Sequence, residues 1–203
     1  SSVFKIYDIS TGSPVLVGSV DTQATCPYNF DIEGNFAYIV ADSPDLIIVN
    51  FTDPTNPVVE SKFSIDDYLI SQGVSVPVKH RSFDIAVKGN YAFVADYAYA
   101  VWSIDISNKS NPIPVSWVGD IDSYGVYEMD GIAIKDNRAF VAAWYRGLLV
   151  VDISDPTNIS IARVAATYGG KDTSFTGYND GGVFIDGDYA IMGGHYRGFA
   201  IYN

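Results

Sequence analysis

Two nearly identical tetrads, Trp144-Tyr145-Arg146-Gly147 and His195-Tyr196-Arg197-Gly198, each combine a guanidinium with aromatic rings. A third basic pair, His80-Arg81, holds the other of the chain's 2 histidines. A guanidinium grips carboxylates in two-point fashion and stacks on rings, so these residues can bind a carboxylate, a sugar ring or a peptide. The competing reading is that Arg146 and Arg197 pair with local aspartates and brace neighbouring loops. Signs of other chemistry are weaker. His80 and His195 lie 115 positions apart with no acidic ligand fixed by spacing, so they make a poor metal signal. No Gly-x-Ser-x-Gly elbow nominates a nucleophile. Asp66-Asp67, Asp120 and Asp122 lack the order of an EF-hand loop. No cofactor is therefore expected, and calcium is a chemistry that these carboxylates merely allow.

The elements that must position these residues are legible as repeats. Asp152-Ile-Ser-Asp-Pro-Thr-Asn158, preceded by Leu148-Leu-Val-Val151, is the clearest copy of a phrase met five times. The others are Phe4-Lys-Ile-Tyr-Asp8, Leu46-Ile-Ile-Val-Asn50, Val101-Trp-Ser-Ile-Asp105 and the stub Phe199-Ala-Ile-Tyr-Asn203. Their anchors at 8, 50, 105, 152 and 203 are spaced 42, 55, 47 and 51 residues apart, which marks a repeat architecture. A second phrase keeps step: Gly34-Asn-Phe-Ala-Tyr38, Gly89-Asn-Tyr-Ala-Phe93, Asp136-Asn-Arg-Ala-Phe140 and Gly187-Asp-Tyr-Ala-Ile191. Its opening pairs tolerate positive φ and suit two-residue hairpin turns.

Each period therefore holds four short strands, A to D, and no convincing helical periodicity. Strand A is expected at Phe83–Val87, B at Tyr91–Ala95, C at Val101–Asp105 and D at Ile113–Val118, with the other repeats following in register. The fold class is all-β: a β-propeller of four-stranded antiparallel blades, with about four repeats present. Residues 1–203 form one propeller on this reading, with repeats over about 3–45, 46–100, 101–147 and 148–198 and a fifth begun at 199–203. Ala37, Ala92, Ala139 and Ala190 share one place in successive B strands and are read as packing residues. The Asp152/Asp155 pair looks chemical. Its recurrence in every repeat instead argues for turns in which side-chain oxygens hold backbone N–H groups.

These residues resemble the LVIVD repeat family, whose repeats carry a Leu-x-Val-Val-Asp-Val-Ser-Asp-Pro core and a Gly-Asn-Tyr-Ala-Tyr-Val-Ala-Asp segment. Leu148–Pro156 and Gly89–Asp96 match those two parts best. Asn50 and Asn203 depart at the Asp position, and Ala143-Trp144 and Gly194-His195 stand in place of Ala-Asp. The resemblance implies a propeller on a secreted or surface-exposed protein and supplies no catalytic residues.

Composition narrows the partners. With 12 Lys+Arg against 24 Asp+Glu the chain carries a net charge of −12, so nucleic acid is not an expected partner. No apolar run is long enough to insert into a membrane and no signal peptide opens the sequence. The lone Cys26 is expected to be buried and inert. Three sequons, at Asn50, Asn108 and Asn158, arise from the same Asn/Ser-rich turn.

The A–B and C–D turns are short and stereotyped, whereas the D–A connections over 64–81, 121–129 and 167–181 are long and unlike one another. Irregular loops on a rigid scaffold are where binding resides. Trp144, Tyr145, Arg146, His195, Tyr196, Arg197, His80 and Arg81 are therefore the candidate ligand residues, on one loop face. Tyr68, Tyr124, Tyr127, Tyr168, Phe175 and Tyr178 stand in the same connections. The functional expectation is an extracellular or cell-surface scaffold whose loop face takes a protein or carbohydrate partner. The alternative is a hydrolase or lyase acting on a surface polysaccharide or other polymer. The segment 3–20 supplies strands C and D without A–B, and 183–203 supplies A, B and C without D. Phe4–Asp8 and Phe199–Asn203 would compete for one place in a four-bladed ring. The chain is accordingly expected to be part of a larger ring, or to self-associate through open sheet edges.

Overall fold

A computed structural model describes residues 2–76, 79–98, 100–119, 129–143, 147–165, 182–194 and 198–202. Apolar alternation and tight turns build antiparallel strands throughout. A two-stranded sheet, β1 (Val3–Asp8) and β2 (Val15–Asp21), comes first. Three complete sheets follow in the order A, B, C, D. They are β3 (Thr25–Glu33) to β6 (Val58–Phe63), β7 (Ser82–Lys88) to β10 (Ile113–Gly119), and β11 (Met129–Lys135) to β14 (Ser160–Ala165). Between them lie β4 (Phe36–Ser43), β5 (Leu46–Asn50), β8 (Tyr91–Asp96), β9 (Ala100–Asp105), β12 (Arg138–Ala143) and β13 (Gly147–Asp152). A three-stranded sheet of β15 (Val183–Asp186), β16 (Tyr189–Gly194) and β17 (Gly198–Tyr202) ends the series. The A strands β3, β7, β11 and β15 lie beside one another in that order. The sheets are the blades of a β-propeller.

The turns work as their sequences require. Gly34, Gly89, Asp136 and Gly187 all take positive φ, at 60°, 61°, 53° and 54°, opening the A–B hairpins. At the other phrase, Asp8, Asn50, Asp105 and Asp152 each accept a hydrogen bond from the backbone N–H two residues on, at 2.8–3.0 Å. Asp53, Asn108 and Asp155 repeat the device a few residues later. The aspartates of that phrase are turn-makers.

Packing between blades is apolar, with small residues at the closest approach. Ala37, Ala92 and Ala139 are fully buried and Ala190 is 5% exposed. Tyr38, Val40, Leu46 and Ile48 of one blade meet Ile85, Val94, Trp102 and Ile104 of the next. Phe93, Ala95 and Val101 meet Ile132, Val141 and Leu149 in the same manner. Polar side chains also reach from each blade to its successor. Glu33 accepts from Gly89 N–H at 2.9 Å, Lys88 donates to the Asp136 carbonyl, and Lys135 donates to the Gly187 carbonyl. Gly18 in β2 is needed for a close approach: a Cβ there would sit 2.2 Å from the Pro54 carbonyl oxygen.

Two expectations are corrected. A short helix, α1 (Ile65–Ser71), occupies the first long D–A connection. Ser64 caps it by accepting from Asp67 N–H at 3.2 Å, and Ile65 and Leu69, one turn apart, bury its inner side. Two turns of helix are too short to display a period. Cys26 is exposed, not buried, at the start of β3, the innermost strand of its sheet.

Candidate functional site

The site begins with a shared irregularity. β3, β7 and β11 each shift register near their starts, between Pro27 and Asn29, Ser82 and Asp84, and Met129 and Gly131. The extra residues are Tyr28, Phe83 and Asp130. A bulge turns its extra side chain out of the pleat. With Asn29, Asp84 and Gly182, these residues line a cavity of about 430 Å³ where the inner strands converge.

Aromatic and charged groups close into a ring at its rim. Tyr28 donates its hydroxyl to Asp42 Oδ1 at 2.8 Å. The Arg81 Nε lies 3.6 Å from the same oxygen, and its guanidinium carbon sits 5.7 Å from the centre of the Tyr97 ring. Tyr97 meets Phe83 edge-on at 5.4 Å, and Phe83 meets Tyr28 edge-on at 4.5 Å. Burial, reinforced by the hydrogen bond to Asp42, pushes the Tyr28 hydroxyl up to about 12, so it stays a donor. The Arg81 side chain remains 46% exposed. Asp84 bridges three strands: it accepts from Asn29 Nδ2 at 2.6 Å, from its neighbour Ile85 N–H at 2.9 Å and from Ile132 N–H at 2.8 Å. Burial raises its pKa against the pull of those donors.

A buried polar knot supports the rim from beneath. Asp96 is fully buried and accepts from Arg81 N–H and Ala98 N–H at 3.1 Å each and from Trp102 Nε1 at 3.0 Å, and it contacts His80 Nδ1. His80 is 3% exposed. Burial disfavours its charge, but the hydrogen bond and charge of Asp96, with Asp66 and Asp45 behind, outweigh that and raise its pKa. Asp45 accepts from Ile65 N–H at 2.8 Å. Burial pushes its carboxyl up to about 7.

The sequence candidates divide accordingly. Arg81 stands on the rim. His80 is turned inward, so it holds the rim in place and does not present its ring to a ligand. Trp144, Tyr145, Arg146, His195, Tyr196 and Arg197 lie outside the described residues, as do Tyr124, Tyr127, Tyr168, Phe175 and Tyr178. Tyr68 packs in α1 against Phe63, ring centres 6.2 Å apart. Sequence reasoning missed Tyr28, Asp42, Phe83 and Tyr97. The Val-Ala-Asp run shared by β4 and β8 was the signal for Asp42. Among the described residues no group of three or more His, Cys, Asp or Glu side chains could hold a metal ion.

Comparison with known proteins agrees with this architecture. The chain is similar to the crystal structure of the computationally designed Ika4 protein, with TM-score 0.62 and 8% identity, covering 92% of this chain and 96% of that one. It is also similar to the computationally designed Ika8 protein, with TM-score 0.64 and 10% identity, covering 98% of this chain and 51% of that one, so it spans about half of Ika8's length. At such identities the likeness speaks for the fold alone. No curated protein matches the chain in sequence. The model of the LVIVD repeat matches residues 29–65, 81–119 and 128–167, more than half of the sequence, and the chain belongs to the LVIVD repeat family.

Proposed function

We propose that this propeller is an extracellular or cell-surface scaffold whose loop face binds a protein or carbohydrate partner at the axial mouth. The observation that carries the reading is the closed ring Tyr28–Asp42–Arg81–Tyr97–Phe83 around the cavity. Its rings offer faces to a sugar or an aliphatic side chain, and its exposed guanidinium offers paired donors to a carboxylate or hydroxyls. Blade packing fixes the ring in advance, so little ordering is needed on binding. Trp144, Tyr145, Arg146, His195, Tyr196 and Arg197 extend the same face on this reading.

The test is a binding screen against an oligosaccharide panel and a peptide library, followed by Arg81→Ala and by Arg146→Ala with Arg197→Ala. Binding is expected to weaken by about tenfold or more, which corresponds to roughly 1.4 kcal/mol, while the melting temperature barely moves. Variants that melt early yet bind normally would make the arginines braces and remove the site.

A further inference from the structure

Counted back from the anchors Asn50, Asp105, Asp152 and Asn203, one register at the entry to strand C reads Asp45, Ala100, Gly147 and Gly198. The first blade alone places a carboxyl there, and it is buried, at 4% exposed. Its Oδ2 accepts from Ile65 N–H at 2.8 Å, at the start of α1, and its Oδ1 is buried without a hydrogen-bond partner. A neutral oxygen would satisfy that N–H equally well. A carboxyl adds what the bond does not need, a proton that can leave.

Three charged groups face Asp45: Asp66 from α1, His80 from the connection to β7, and Asp96 from β8. His80 and Asp96 are buried and in contact, and Asp66 is half-buried. Arg81 pairs its guanidinium with Asp42 at the rim. One imidazolium can offset one carboxylate, so three ionised carboxyls would leave negative charge uncompensated inside the protein. Below neutral pH the cluster avoids this by keeping protons on Asp45 and His80, whose pKa values are both raised. Rising pH removes both protons, and the buried cluster then holds an excess of negative charge.

The docking of α1 depends on this cluster. A two-turn helix is not stable alone, and Ile65 and Leu69 are its two buried side chains, packed among Leu46 and Ile48 of the first blade and Ile85 and Trp102 of the second. The helix also grips the residue beside Arg81: His80 N–H donates to Asp66 Oδ1 at 3.1 Å, while Arg81 N–H donates to Asp96 Oδ1 at 3.1 Å. We propose that Asp45, Asp66, His80 and Asp96 form a proton-operated latch, which when protonated docks α1 on the seam of the first two blades and holds Arg81 in the rim, and which in alkali releases both. Lifting α1 lets water reach the Asp45 carboxylate. Regulation of binding rests on the rim being the binding surface, whereas the movement of α1 does not.

The test reads the helix and the rim separately. In a Cys26→Ser background, a nitroxide is attached through Ile70→Cys, a position on α1 that is 61% exposed. Its paramagnetic resonance spectrum is expected to pass from an immobilised to a mobile form as pH rises through about 7. Asp45→Asn keeps an oxygen for Ile65 N–H and has no proton to lose, so its label stays immobilised up to about pH 8.5. Asp66→Asn removes a carboxylate that raises both groups, so its transition moves to lower pH. The oligosaccharide panel and peptide library, run at about pH 6 and about pH 8.5, are expected to bind the unmodified chain about tenfold more weakly at the higher value, and Asp45→Asn equally at both. A label that stays immobilised throughout, an Asp45→Asn variant that responds like its parent, or hits that bind the parent equally at both values would overturn the latch. Movement of α1 with no hit at either pH would uphold the latch and remove the binding reading.

Discussion

Asp42 and Asp96 lie at the same place in equivalent B strands, each closing an Ile/Phe-Val-Ala-Asp run, yet their surroundings differ. Asp96 is fully buried and gathers three N–H donors and the ring of His80. Asp42, with a side chain 17% exposed, holds a tyrosine hydroxyl and an exposed arginine at the rim. The cause lies in the neighbours. In the second blade Trp102 and Trp117 stack at 5.2 Å, with His80 against the edge of Trp102, and close the region over Asp96. In the first blade the bulge at Tyr28 turns a phenol toward Asp42. One position in the repeat therefore serves as an internal clamp or as part of the rim of the cavity, according to what packs around it.

The largest test of that contrast is Asp96→Ala. It leaves several buried donors without a partner and should cost about 3 kcal/mol in chemical denaturation. A loss no larger than that of an ordinary surface substitution would erase the distinction.

Asp45 sharpens the contrast through pH. Its folded value of about 7 lies above the ordinary 3.8, so the native state holds the proton longer than the unfolded chain does. Its contribution to stability is complete below about pH 4 and is lost as pH rises through 7. His80, also raised, loses its contribution in the same direction above its ordinary 6.5. Asp45→Asn should therefore gain about 2 kcal/mol at pH 8 and change little at pH 4. A denaturation series across pH 4 to 8 in which variant and parent run parallel would show that this carboxyl is not held protonated.

Asp42→Ala should cost no more than about 1 kcal/mol, because its ion pair is partly solvated. The same change should free the Tyr28 hydroxyl, detectable as a lower tyrosine titration midpoint in ultraviolet absorbance. Finally, Asp152→Ala removes the turn bonding from Ser154, its side chain first and its N–H second, that lowers the pKa of Asp152. The resulting drop in melting temperature should be small at pH 7 and vanish in acid, where that bond's contribution is already lost.

Local chemistry made much of this molecule legible in the sequence. The strands at Tyr91–Asp96 and Ala100–Asp105, the positive-φ turns and the four buried alanines follow from alternation, Gly-Asn pairs and small size at a fixed register. The rim was harder to see. It depends on bulges, which slip backbone register without leaving a residue signature, and it joins Asn29 to Asp84, 55 positions apart. The burial of His80 likewise depends on Trp102 and Asp96 arriving from other strands, which no local pattern announces. The helix at Ile65–Ser71 carried one readable mark, Ser64 three residues before Asp67, set in a segment too short to show periodicity.

Three of the side chains that lean from one blade to the next, Glu33, Lys88 and Lys135, find backbone atoms there: the Gly89 amide, the Asp136 carbonyl and the Gly187 carbonyl. Backbone atoms are the same whatever residue evolution places around them. A blade that is duplicated, lost or moved as a unit therefore meets an equivalent atom in its new neighbour, and the contact survives without a matching second mutation. Gene segments encoding such blades can be shuffled with little penalty at the seams. That tolerance suits a lineage whose copies already differ in length, from 42 to 55 residues between anchors, while keeping one common fit.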